Sequence, residues 1–193
     1  MKIVIAGAGA IGGYIGAKLA KAGADVVLFA RGPHLRAMQE RGLRVISPDG
    51  DFEVPVNATG DLASIGQADV VFLGVKAHGL TALAPTLRPL FGADTVVVST
   101  QNGIPWWYFQ GIGGEREGLR LERVDPGGVI AGAIELRRVI GSLAYFATDI
   151  VAFCKERLAD FKRPKQVHIT QAIPRTATGK IQRGAVAKAY SGA

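Results

Sequence analysis

"KIVIAGAGAIGGYIGAKLAKAGADVVLFARG", residues 2–32, decides the fold. The apolar run 2–7 ends at a glycine and reads as a buried parallel strand. Helical periodicity follows. Ile11, Ile15 and Leu19 share one face, Gly12 and Gly16 leave room for close approach, and Gly23 is placed to end the helix. "DVVLFA" (25–30) is a second strand. A strand, a glycine turn, a helix and a second strand open a parallel, Rossmann-type α/β sheet.

The pattern continues outward from this unit. "PHLRAMQERG" (33–42) is a short helix with Pro33 in its first turn and Gly42 at its end. "LRVISPDGDFEVPV" (43–56) places Pro-Asp-Gly between two β-type runs, a hairpin. "ADVVFLGVK" (68–76) and "DTVVVST" (94–100) are buried strands with a helical stretch around 79–90 between them. "ERVDPGG" (122–128) is a turn, and "RRVIGSLAYFAT" (137–148) alternates as a strand does. The expected architecture is a mainly parallel sheet with helices on both faces, followed by a short basic α/β tail.

Charge marks the tail off. Residues 1–148 carry 14 Lys/Arg and 13 Asp/Glu, whereas 149–193 carry 9 and 3, so most of the net +7 sits in the last 45 residues. We expect a boundary at 148, with 149–193 too short to be an independent domain. The tail has no aromatic interleaving and no nucleic-acid motif, so no nucleic-acid partner is expected. No apolar run approaches the roughly 18 to 20 residues of a membrane span, and glycines interrupt the N-terminal apolar run. A soluble cytoplasmic protein follows as the expectation. The single cysteine, Cys154, excludes a disulfide framework and suits core packing on a tail helix.

Gly7, Gly9 and Gly12 stand at G-x-G-x-x-G spacing, after a strand and at the start of a helix. That context points to dinucleotide binding: a tight turn at Gly7, backbone approach to a pyrophosphate at Gly9, and helix–strand packing at Gly12. The first helical residues, Ala10 and Ile11, would aim free N–H groups and the positive dipole end at the phosphates. The end of the second strand reads "LFARG", with Arg31 where an NAD site places an acid. A guanidinium suits a 2′-phosphate, so Arg31 reads as an NADP(H) selector; the alternative is a solvated arginine at a strand end. No metal ligand cluster is seen. His78 reads as a loop residue, and Trp106 and Trp107 as packing groups.

These stretches, with "VVFLGVKAHGL", "VVVSTQNGIPWW" and "VDPGG", resemble the N-terminal half of the 2-dehydropantoate 2-reductases (ketopantoate reductases) over about residues 1–148. The resemblance implies NADPH-dependent reduction of 2-dehydropantoate to pantoate, on the route to coenzyme A. It also implies that Lys76 and Asn102 contact cofactor and substrate near the nicotinamide, where an ammonium could attract a 2-keto acid carboxylate. Surface lysine and turn asparagine are the alternatives. In that family a helical second domain supplies a general-acid lysine and a substrate-binding glutamate. Nothing after residue 148 resembles it, so no catalytic residue is assigned and impaired catalysis is expected, with a noncatalytic nucleotide-binding or decayed fusion product as the alternative. An apolar face left by a two-domain parent would favour self-association.

"DIVAFCKERLADFKRPKQVHITQAIPRTATGKIQR" is similar to the end of the mobile C-terminal domain of AMP-forming acyl-CoA synthetases, over about 149–187. That resemblance gives Lys180 the place of the adenylation lysine. It is not a Walker A loop, because Gly179-Lys180 is followed by Ile181. With no synthetase body to act on, Lys180 is expected to be a relic in a solvated loop.

Overall fold

The computed structural model describes residues 1–47 and 50–142. Expectations for Pro48 and Asp49, and for everything beyond 142, including the boundary at 148, Cys154, the tail helix and Lys180, lie outside the described residues.

Six strands form one sheet: β1 (Lys2–Ala6), β2 (Asp25–Phe29), β5 (Asn57–Thr59), β6 (Ala68–Leu73), β7 (Phe91–Ser99) and β8 (Val139–Gly141), in the order β5-β2-β1-β6-β7-β8. Every pairing in it is parallel. The order reverses between β1 and β6, and ligands bind doubly wound sheets at such a switch point. β3 (Leu43–Val45) and β4 (Phe52–Val54) form the expected antiparallel hairpin.

β1 is buried on both faces because its alternate side chains feed two cores. Ile3 and Ile5 join Val26, Leu28 and Met38 on one side. Val4 and Ala6 join Val71, Leu73, Leu87 and Ile130 on the other. The first core is covered by α1 (Ala10–Lys21) and α2 (Gly32–Arg41). In α1 the buried stripe is Gly12, Gly13, Gly16 and Ala17, not the isoleucines: Ile15 and Leu19 are only partly buried beside it. Small residues let the helix axis approach the sheet; a methyl group at Gly16 would sit 2.8 Å from Leu28 Cδ2. Gly23 ends α1 as expected. Its φ is +79°, its N–H donates to Ala20 O, and the N–H of Ala24 donates to Leu19 O, which is a Schellman closure.

The second core is covered by α3 (Ala77–Leu83), a 3₁₀ segment over Ala84–Leu90, and α4 (Val129–Ala133). Leu80, Leu83, Leu87 and Leu90 are buried at alternating spacings of three and four, so one apolar stripe runs through both helical segments. Pro89, which lacks an N–H, lies in the 3₁₀ turn that precedes β7. Asp125, almost fully buried, starts α4: its carboxylate accepts the N–H groups of Ile130 (2.7 Å) and Ala131 (3.1 Å). In the irregular stretch before it, the exposed Glu117 carboxylate accepts the N–H groups of Gly111 and Gly113. Those bonds, Gly111's first, hold its pKa below the ordinary carboxylate value.

The elements differ from the sequence reading in several places. β5, "NAT", is an added strand too short and too polar to announce itself. β7 begins at Phe91 rather than Asp94. Thr95 Oγ1 accepts Gly92 N–H and donates to Ala68 O where the register with β6 shifts. The last strand starts at Val139, because Leu136–Arg138 form a 3₁₀ turn.

Candidate functional site

The glycine turn is a knot of three backbones. Gly7 follows β1 with φ +111°, and a methyl group there would sit 2.5 Å from Val75 Cγ1. One at Gly12 would sit 2.1 Å from the carbonyl oxygen of Gly7. Gly74, just past β6, is equally crowded, with Gly7 O at 2.2 Å and Gly12 Cα at 3.0 Å from a methyl group. These three glycines are required by the protein's own packing. Gly9 is not: its φ is −71°, and a methyl group would meet only Gly74 O, at 3.8 Å. A glycine that the fold does not need, at the lip of a cleft, fits close approach by a ligand.

α1 starts at this turn with no acidic residue in its first turn and no side-chain cap. Its first helical bond runs from Gly13 N–H to Gly9 O, which leaves the N–H groups of Ala10, Ile11 and Gly12 without intrahelical acceptors. They are available to an anion.

Two clefts meet here and share Gly7, Gly9, Val75 and Gly79. The first, about 390 Å³, extends over Phe29, Ala30, Arg31 and His34 at the end of β2. Arg31 is exposed and caps α2, with its guanidinium 5.2 Å from the centre of the Phe29 ring. The second, about 590 Å³, extends over Lys76, His78, Thr100 and Asn102 at the ends of β6 and β7. Among the described residues neither cleft is lined by a carboxylate, and Arg31 and Lys76 are the fixed charges there. The lining is complementary to a ligand with anionic groups at both ends.

Lys76 and Asn102 share this second cleft because their loops are tied together. Thr100 Oγ1 donates to Leu73 O (2.7 Å), and Gln101 Nε2 donates to Val75 O (3.1 Å). Ser99 Oγ in turn donates to Gln101 Oε1 (2.8 Å). Gln101 is thus a brace between the loop that carries Asn102 and the one that carries Lys76. His78 lies in the first turn of α3 rather than in a loop. Trp106 is buried and meets Trp107 edge to face at 4.2 Å, so both pack as expected.

Residues 3–105 match the family model described as ketopantoate reductase PanE/ApbA. The chain belongs to this family. A 2-dehydropantoate 2-reductase of Mesorhizobium japonicum is 51% identical over 153 residues, covering 79% of this chain and 47% of that protein. One from a Nostoc species is 42% identical over 104 residues, covering 53% of this chain and 32% of the relative. A Ralstonia solanacearum structure assigned to the ketopantoate reductases superposes with a TM-score of 0.70 at 46% identity, over 75% of this chain and 44% of that one. The chain therefore spans less than half the length of these relatives.

The reductase resemblance runs into a second one. Residues 125–180 match the AMP-binding enzyme C-terminal domain model. Oxalate–CoA ligase of Arabidopsis thaliana is 60% identical over 42 residues, which is 22% of this chain and 8% of that protein. The second match starts earlier than the charge break at 148. In the structure residues 125–142 serve the reductase sheet: they supply Asp125, α4 and β8, and β8 pairs with β7 through Val97–Val139 and Val98–Ile140.

Sequence reasoning singled out Gly7, Gly9, Ala10, Ile11, Gly12, Arg31, Lys76 and Asn102, and the described residues bring all eight to the two adjoining clefts or the knot beneath them. It passed over Gly74, Gln101 and His34. A glycine directly after the third long apolar run was a signal for the first; neither of the others carries one.

Proposed function

We propose that the described residues form the cofactor half of a ketopantoate reductase. The cofactor is NADP(H). The observation that carries this is the acid-free pair of clefts meeting at Gly9, with free α1 N–H groups between Arg31 and Lys76. Gly9, Ala10 and Ile11 would take the pyrophosphate, Arg31 the 2′-phosphate, and the Lys76–Asn102 side the nicotinamide end. The reduced nicotinamide supplies the hydride for a 2-keto acid, here 2-dehydropantoate. Lys76 would draw in the substrate carboxylate, and Asn102 would bond a carboxamide or hydroxyl. Ile104, Tyr108, Ile112 and Leu119 are each at least half exposed and support self-association as part of the proposal.

Reduction of the ketone also needs a proton on the developing alkoxide. The residues that follow the sheet resemble a different family, and the proposal draws no general acid from them. Nor does it give Lys180 an adenylation role, since the matched stretch is 8% of the ligase relative. The expected result is saturable NADPH binding in a fluorescence titration. NADPH oxidation with 2-dehydropantoate should then be about 100-fold or more slower than in the full-length Mesorhizobium relative, the usual weight of a general acid. No binding would overturn the cofactor reading, and turnover at the relative's rate would overturn the impairment.

Arg31→Ala tests the selector directly. Loss of a charge-assisted fork to a phosphate should weaken NADPH roughly 10- to 100-fold and leave NADH nearly unchanged. An unchanged ratio of the two affinities would make Arg31 a solvated strand-end residue.

A further inference from the structure

His34 stands between the two features that the cofactor reading uses. It lies in the first turn of α2, three residues after Arg31, and lines the cleft that contains Arg31 and the glycine turn. It also lines a second hollow of about 460 Å³ on its other side, formed with Gly13, Tyr14 and the β3 strand. Its Nε2 is 2.7 Å from the carbonyl oxygen of Ala8, inside the G-x-G-x-x-G turn. A carbonyl can only accept, so Nε2 carries the proton and donates. Ala8 N–H donates in turn to Phe29 O at 2.9 Å. Ala8 is thus held on one side by the end of β2 and on the other by α2.

This bond crosses 26 residues of sequence. It is the side-chain tie, among the described residues, between the start of α2 and the phosphate turn. Among the described residues Arg31 has no such tie of its own: it is exposed and rests against Phe29. The distance from a 2′-phosphate site at Arg31 to a pyrophosphate site at Gly9 is therefore set by the backbone that runs from the end of β2 into α2: the Ala8–Phe29 bond holds its β2 end to the turn, and His34 holds its α2 end.

We infer that His34 is a positioning residue for the 2′-phosphate, a latch that pre-sets Arg31 against the pyrophosphate turn and so sharpens the choice of NADP(H) over NAD(H). The inference rests on the cofactor reading. A ligand that uses both anchor points benefits from having their separation fixed in advance, because it need not order the loop on binding. A ligand that uses only the pyrophosphate turn does not.

The test compares NADPH and NADH affinities of the full chain with those of His34→Ala, His34→Phe and His34→Gln. Loss of one neutral hydrogen bond predicts about a fivefold weaker NADPH in the alanine and phenylalanine variants, with NADH changed less than about twofold. Melting temperature should change little, because His34 is an exposed residue that makes one neutral hydrogen bond. Glutamine, which can still donate to Ala8 O, should restore the preference. Equal losses for both cofactors, no loss for either, or no rescue by glutamine would overturn the latch. If the unaltered chain binds neither cofactor, the cofactor reading falls and takes the latch with it. If Arg31→Ala abolishes the preference while the His34 variants keep it, the latch alone falls.

Discussion

Gly12→Ala should unfold much of the sheet's stability and abolish NADPH binding together. Its methyl group would lie 2.1 Å from Gly7 O, a backbone atom that cannot rotate away, and 3.0 Å from Ile5 Cγ2. Either α1 lifts off the sheet or β1 bends, and both disturb the core that Ile3, Ile5 and Leu28 share. Overpacking of this kind, against main chain rather than a flexible side chain, should cost about 3 kcal/mol or more. Gly74→Ala should behave in the same way, because its methyl would meet Gly7 O at 2.2 Å from the opposite strand. Gly9→Ala is the control that gives the comparison its force. Its methyl would make only an ordinary contact, at 3.8 Å, so denaturation should show a change below about 1 kcal/mol. NADPH affinity should nevertheless collapse, because the methyl would stand in the approach proposed for the pyrophosphate. Urea denaturation and cofactor titration on the three variants separate fold-required glycines from the ligand-required one. A Gly9→Ala variant that binds NADPH normally would remove the pyrophosphate from this turn, and one as unstable as Gly12→Ala would make Gly9 a packing residue.

The contrast also shows why the sequence was legible where it was. β1 and β2 are buried on both faces, and the central valines of β6 and β7 are buried on one face and half-buried on the other, so all four appear as apolar runs, and the glycine turn between β1 and α1 has fixed spacing. Once those strands were placed, the strand-end rule brought Lys76 and Asn102 to one edge, and the structure gives them one cleft. The missing pieces depend on contacts between distant segments. Gly74 is a glycine because the Gly7 carbonyl and Gly12 approach it from another strand and helix. Gln101 acts through carbonyls 26 and 28 residues away, and His34 through one 26 residues away. In α1 the periodicity of Ile11, Ile15 and Leu19 drew attention to the larger side chains, whereas close helix–sheet contact selects the smaller ones next to them. β5 pairs only with the end of β2, and three residues at an edge need no apolar run.

Arg138→Leu is expected to cost about 3 kcal/mol, the weight of losing a buried charged donor to several carbonyls. Arg138 is 9% exposed, and its Nη1 donates to Gly92 O (2.7 Å), Ala93 O (3.3 Å) and Thr95 O (3.3 Å). Those carbonyls sit where β7 departs from regular register, so one guanidinium satisfies what the ladder with β6 does not. Leucine fills some of the volume, and its packing on Phe91 offsets part of the loss, but it leaves the three acceptors dry. Lysine should recover only part of the difference: an ammonium can donate to the same carbonyls, but it lacks the second nitrogen that faces Glu135 Oε1 at 3.7 Å. The measurement that matters is local: amide exchange should accelerate at Gly92–Thr95 and along β7, well beyond the substituted turn. This result bears on where the reductase part of the chain stops. The synthetase-like match begins at 125, yet Asp125, Ile130, Ile134 and Arg138 are all buried against reductase elements. If residues 125–142 belonged with the tail, Arg138→Leu would leave β7 protected. If they complete the reductase sheet, β7 loses protection and the stability of the cofactor half falls with it.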